Sequence, residues 1–104
     1  MIQWEDKTTY SRDDNERIPQ ILEARINSIG ICVHRHIRYP GKWLLTSKYL
    51  FIDKMELKSE NIDDAKKEAL SIVNKHLMYM QIEISNAIKQ IKKELIYWGM
   101  HIII

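Results

Sequence analysis

Hydrophobic and polar residues change rhythm along this chain, and the change divides it into a sheet-forming first half and a helical second half. Ile29, Ile31, Val33 and Ile37 alternate with Cys32, His34, His36 and Arg38, with one break at Arg35. Period two sends successive side chains to opposite faces, so this stretch predicts a half-buried strand. Tyr39-Pro40-Gly41-Lys42 follows as a β-turn: proline presets φ at the first central position, and glycine accepts φ > 0 at the next. WLLTS and YLFIDKMEL supply one or two further strands, with Ser47-Lys48 as the joint. Links this short cannot make parallel crossovers, so the arrangement is an antiparallel meander.

The segment before it reads two ways. Ile18, Ile21, Leu22, Arg25, Ile26 and Ile29 fall at helical spacing, with Pro19 suited to a first turn and Gly30 to a C-terminal cap. Yet Leu22, Ala24 and Ile26 also alternate with Glu23, Arg25 and Asn27, as in a half-buried strand turning at Asn27-Ser28. The strand is preferred, because the β-branched segment that follows needs a pairing partner. Residues 1–18, which contain Trp4, Tyr10 and the polar run SRDDNER, read as an irregular segment.

From Asn61 the period lengthens. Asn61 can cap a helix whose first turn holds Asp63 and Asp64, where carboxylates favour the positive end of the dipole. Apolar residues then recur every three or four positions from Ile62 to Trp98, and no Gly or Pro interrupts before Gly99, a helix stop. Unbroken, such a helix would be ~55 Å long, which obliges it to break, protrude or pair with another chain. The polar and β-branched patch at 81–86 is where a break would fall. Pairing has two supports. Leu77, Met78, Tyr79, Met80, Ile82 and Ile84 are apolar around most of the circumference, more than one face can bury. The chain also ends in an apolar tail, 99–104, whose Ile102 and Ile104 need cover. A homodimer is therefore expected, with Leu77, Met78, Met80, Ile82, Ile84, Trp98, Ile102 and Ile104 at its interface.

At 104 residues the chain is expected to be one domain of the α+β class: a small antiparallel sheet of three or four strands over 19–57, packed against a long C-terminal helix over 61–98. An apolar content of 45% with 29% charged residues argues against disorder. The eighteen isoleucines against one phenylalanine reflect base composition more than chemistry. Cys32 is the only cysteine, so no internal disulfide can form. No leader pattern or spanning run is visible, and a cytoplasmic setting with no membrane partner is expected. The net charge of +2 hides an uneven distribution. Residues 1–23 carry −3, residues 24–58 carry +5, and the remainder balances. The cationic middle third is the only electrostatic footprint.

Candidate chemistry concentrates at HRHIRYPGKW. His34 and His36 lie ~6.6 Å apart along a strand, close enough to share a metal. Cys32 is too far from His36 to join them undistorted, and no second ligand cluster exists, so no metal and no cofactor are expected. A Cys32–His34 nucleophilic pair lacks an orienting acid and an oxyanion loop. Asp63 and Asp64 already have a structural task at the helix start. No catalytic residue is assigned, and the chain is read as a non-enzyme. The hairpin residues His34, Arg35, His36, Arg38, Tyr39, Lys42 and Trp43 combine cations with aromatics and are the expected partner-binding surface. Nucleic acid is the second choice of partner, through phosphate-seeking cations and stacking rings.

Two resemblances bear on the partner. With a helix at 19–29 the order α-β-β-β-α, together with AKKEAL at Ala65–Leu70, resembles the double-stranded-RNA-binding domain. That family places lysines at the helix N-terminus, whereas this chain has Asp63 and Asp64 there and Lys66 and Lys67 a turn later. The longer stretch GKWLLTSKYLFIDKMELKSENIDDAKKEAL resembles small proteins of phages and mobile elements, anti-CRISPR- and antitoxin-like inhibitors among them. That resemblance implies a protein-binding inhibitor of a host defence or regulatory protein, acting as a dimer.

Overall fold

Alternation of apolar and polar side chains shapes residues 21–56 into strands, and the turns between them determine which faces meet. The computed structural model describes residues 1–12 and 17–99. The chain divides into two units, Met1–Ser71 and Ile72–Ile104.

The first unit holds an antiparallel sheet of five strands in sequential order: β1 (Trp4–Asp6), β2 (Ile21–Ile26), β3 (Ile29–His34), β4 (Leu44–Ser47) and β5 (Ile52–Glu56). It is one or two strands larger than expected, because Trp4–Asp6 pairs with Leu22–Ala24 instead of remaining irregular. Thr8 secures the join, its hydroxyl oxygen accepting the Gln20 and Ile21 N–H groups. Residues 21–26 are strand, not helix, and Asn27 takes the positive φ of the two-residue turn, which asparagine tolerates better than most residues. Gly41 likewise adopts φ +75, and the Lys42 N–H donates to the Tyr39 carbonyl, closing the expected Pro-Gly turn.

Pairing Leu22 with Val33, Ala24 with Ile31 and Val33 with Leu45 puts these buried side chains on one face. The helix α1 (Ile62–Tyr97) starts against that face. Ala65 and Ala69 are fully buried, and such short side chains let a helix backbone approach a sheet closely. Lys66 reaches over the Trp4 ring at 5.9 Å. The cap is reciprocal: the Asp64 N–H donates to Asn61 Oδ1 at 2.9 Å, and Asn61 Nδ2 donates to Asp64 at 2.7 Å. Glu68, one turn on, folds back and accepts the Lys58 and Ser59 N–H groups and the Ser59 hydroxyl. Ser47, a buried polar residue among the core side chains, donates to the Gly30 carbonyl at 2.8 Å.

Between β4 and β5 the chain turns over Lys48–Phe51, and β5 then gains one residue against β4. The bulge leaves Lys54 at φ +49, and the Thr46 hydroxyl takes up its N–H. Phe51 stands at φ +56 and is 96% exposed.

The second unit is described over 72–99. Helical structure runs unbroken through 81–86, where a break had been the alternative, and ends before Gly99 at φ +75. Every residue from 81 to 91 is exposed. Ile102 and Ile104 lie outside the described residues.

Burial raises the Glu68 carboxyl, but its hydrogen bonds to Lys58 and Ser59 outweigh this and hold it below the ordinary 4.5. A lowered folded pKa adds stability that is complete above the ordinary carboxylate range and is lost as pH falls through the folded value. Glu68→Gln should therefore destabilise by about 0.5–1.5 kcal/mol at neutral pH, the lower end applying because water screens the site. The gap to wild type should close on acidification, which urea melts at pH 7 and pH 3 would measure. At the β4–β5 turn, Phe51→Gly should raise stability by about 0.5–1 kcal/mol, since it relieves a left-handed phenylalanine that buries almost nothing; a lowered melting temperature would contradict this.

Candidate functional site

The hairpin between β3 and β4 has a fixed base and a free tip. His34 ends β3, and its Nδ1 lies 3.2 Å from the Arg35 carbonyl. A carbonyl can only accept, so Nδ1 carries a proton, while Nε2 is hydrogen-bonded to the Thr46 hydroxyl at 2.7 Å. The same Thr46 oxygen accepts the Lys54 N–H, so His34 is tied to the β5 bulge through one hydroxyl. Arg35 lies over the Trp43 ring at 4.2 Å from its centroid, a cation–π contact. Trp43 itself is only 4% exposed, and its indole N–H donates to the Glu60 carbonyl at 2.9 Å.

Past His34 the chain leaves the sheet. The His36 ring meets Tyr39 edge-on at 5.9 Å, its Nδ1 accepts the Arg38 N–H, and its carbonyl accepts the Tyr39 N–H. Period two therefore stops at His34, and Ile37, read from the sequence as inward-facing, is 92% exposed at the tip. Arg38, Pro40, Gly41 and Lys42 are exposed beside it. An open depression of about 470 Å³ lies among Gln20, Arg35, His36, Ile37, Tyr39, Pro40 and Gly41.

Of the seven expected contact residues, Arg38 and Lys42 are exposed, His34, Arg35, His36 and Tyr39 are half-buried, and Trp43 belongs to the core. The correction at Trp43 has a simple cause. Its neighbours Leu44 and Leu45 are both buried, so this end of β4 is enclosed on both faces and alternation does not apply.

Across the sheet, Glu5, Glu23, Cys32 and Thr46 form one row through the strand pairings. They line an open groove of about 770 Å³ together with Lys7, Arg25 and Lys48. Burial, reinforced by the Glu23 charge, pushes the Cys32 thiol up to about 11. Cys32 is not paired with His34, whose two ring nitrogens are engaged by the Arg35 carbonyl and the Thr46 hydroxyl. Among the described residues, no three His, Cys, Asp or Glu side chains are grouped to hold a metal ion. Among them, too, no helix is long and apolar enough to cross a membrane.

On α1, Met78, Tyr79, Ile82, Ile84, Ile88, Ile91, Ile96 and Trp98 are exposed, while Leu77 and Met80 are half-buried. A helix advances roughly 100° per residue. Leu77, Met80, Ile84 and Trp98 therefore share one side, and Met78 and Ile82 lie on the other, so the expected interface set does not form a single face. Ile88, Ile91 and Leu95 complete the Ile84 side. Their three-and-four spacing continues the helical periodicity of the sequence along that side.

No protein-family model matches the sequence, and comparison with curated proteins and with solved structures gives no match either.

A thiol held this far above neutrality presents almost no thiolate at pH 8. Native Cys32 should react with a disulfide reagent on the order of 100-fold more slowly than a free cysteine at that pH. Labelling kinetics before and after denaturation measure this, and equal rates would contradict it.

Proposed function

We propose that the chain is a non-enzymatic protein-binding module that contacts its partner through the β3–β4 hairpin and acts as a self-associated assembly through its helix. The observation that carries the reading is Ile37: an isoleucine 92% exposed at the tip of a turn whose base is held by the His34–Thr46 bond and the Arg35–Trp43 stack. An apolar residue presented on an ordered loop beside the exposed Arg38 suits a protein pocket with an acidic rim. The resemblance to phage and mobile-element proteins makes a host defence or regulatory protein the natural partner.

Nucleic acid fits the hairpin less well. Trp43 has no face free for a base to stack on, and Arg35 is committed to that ring. The helix N-terminus nearby carries Asp63 and Asp64.

The test is affinity capture from host lysate with wild type, Ile37→Asp and a charge-neutral Arg38→Ala/Lys42→Ala chain, followed by mass spectrometry. Ile37→Asp should lose the retained partner at least about tenfold, while its thermal melt stays unchanged because Ile37 packs against no core. Retention of the same proteins by all three chains would defeat the hairpin reading. So would a shift of duplex RNA or DNA that weakens steeply with salt and needs Arg38 and Lys42.

A further inference from the structure

The exposed helix carries more than a generic apolar stripe. Gln81, Ile84, Ile88, Ile91, Leu95 and Trp98 are separated by three, four, three, four and three residues. That is a coiled-coil seam, with Ile84, Ile91 and Trp98 at one set of core positions and Gln81, Ile88 and Leu95 at the other. At roughly 100° per residue the six fall within an arc of about 100°. Lys75, Lys89 and Lys93 lie on the opposite side, so charge is kept off the seam. We propose that residues 74–98 form a parallel, in-register, three-stranded coil with two further copies of this chain. This rests on the reading of the protein as a self-associating binding module, and it names the partner and the geometry.

Self-pairing follows from the polar positions. Asn74 and Gln81 stand seven residues apart and both occupy the set that contains Ile88 and Leu95. In a parallel, in-register coil, each meets its own copies and can hydrogen-bond to them. Any antiparallel register sets this group against the other, which is Leu77, Ile84, Ile91 and Trp98, and leaves both amides facing apolar side chains. Strand number follows from residue shape, with Ile88 in one core set and Ile84 and Ile91 in the other. Isoleucine at both core sets favours three strands or more over two. A buried aliphatic side chain removes on the order of 60–120 Å² from water, and an aromatic one about 150–250 Å². Ile84, Ile88, Ile91 and Trp98 are 46–66% exposed. The seam thus offers roughly 400 Å² per chain, so each chain-to-chain contact stays below the about 1,200 Å² of a standard interface and the assembly is reversible and concentration-dependent.

Sedimentation equilibrium of the full chain should give three times the 12.5 kDa monomer mass. Ile88→Glu should dissociate the assembly to monomers with the sheet's circular dichroism retained, since Ile88 lies outside the core. Ile82→Glu, on the opposite side of the helix, should leave the mass unchanged. In a Cys32→Ser background, Ile91→Cys should cross-link copies on oxidation, because in register the thiols face one another. A mass of one or two chains, equal sensitivity at positions 82 and 88, or cross-linking only when Gln81→Cys is added to Ile91→Cys, would overturn the proposal. Partner capture by the monomeric Ile88→Glu chain is scored separately, so loss of the coil and failure of the hairpin reading are distinguishable.

Discussion

The indole of Trp43 holds the first unit together. Its N–H donates to the Glu60 carbonyl just ahead of the Asn61 cap, and the Trp43 backbone carbonyl accepts the Leu57 N–H, which extends the β4–β5 ladder. A buried indole N–H left without an acceptor is costly, so the chain between β5 and α1 is drawn to the place where Glu60 can supply one. Glu68 then fastens that connection from the helix side, accepting the backbone donors of Lys58 and Ser59. The Ala65 and Ala69 contact with the sheet face depends on both.

The same ring shapes the candidate site. Because Arg35 stacks on Trp43, and His34 is engaged by Thr46, the cationic residues at the base of the hairpin are structural before they are functional. What remains free is the tip, where Ile37 and Arg38 project from a turn closed by Pro40 and Gly41. The loop therefore presents a small surface with little conformational freedom to lose on binding.

Much of this was legible in the residues. Period two marked β2 and β3, Pro40-Gly41 and Asn27-Ser28 marked turns, and Asn61 and Gly99 marked the ends of the helix. β1 escaped notice because a three-residue strand bearing Glu5 and Asp6 has too few apolar positions to show a period. Its order comes from pairing with β2, a tertiary effect. Ile37 misled because alternation was carried one step past the end of β3, and Trp43 because both faces of β4 are enclosed near its start. The helix seam was present in the spacing, but a stripe with a period near 3.5 differs little from one at 3.6 over three turns. Only the exposure of 81–91 separates an unused face from a core-facing one.

The edges of the sheet add a consequence. An open five-stranded sheet has two unpaired margins, and each is a template on which another chain could add strands. Here one margin is β1, only three residues long and carrying two carboxylates. The other is β5, where the bulge and the left-handed Lys54 interrupt the row of donors and acceptors. Neither margin offers a flat run for edge-to-edge growth. Fibrillar association is thereby disfavoured in a chain rich in β-branched residues.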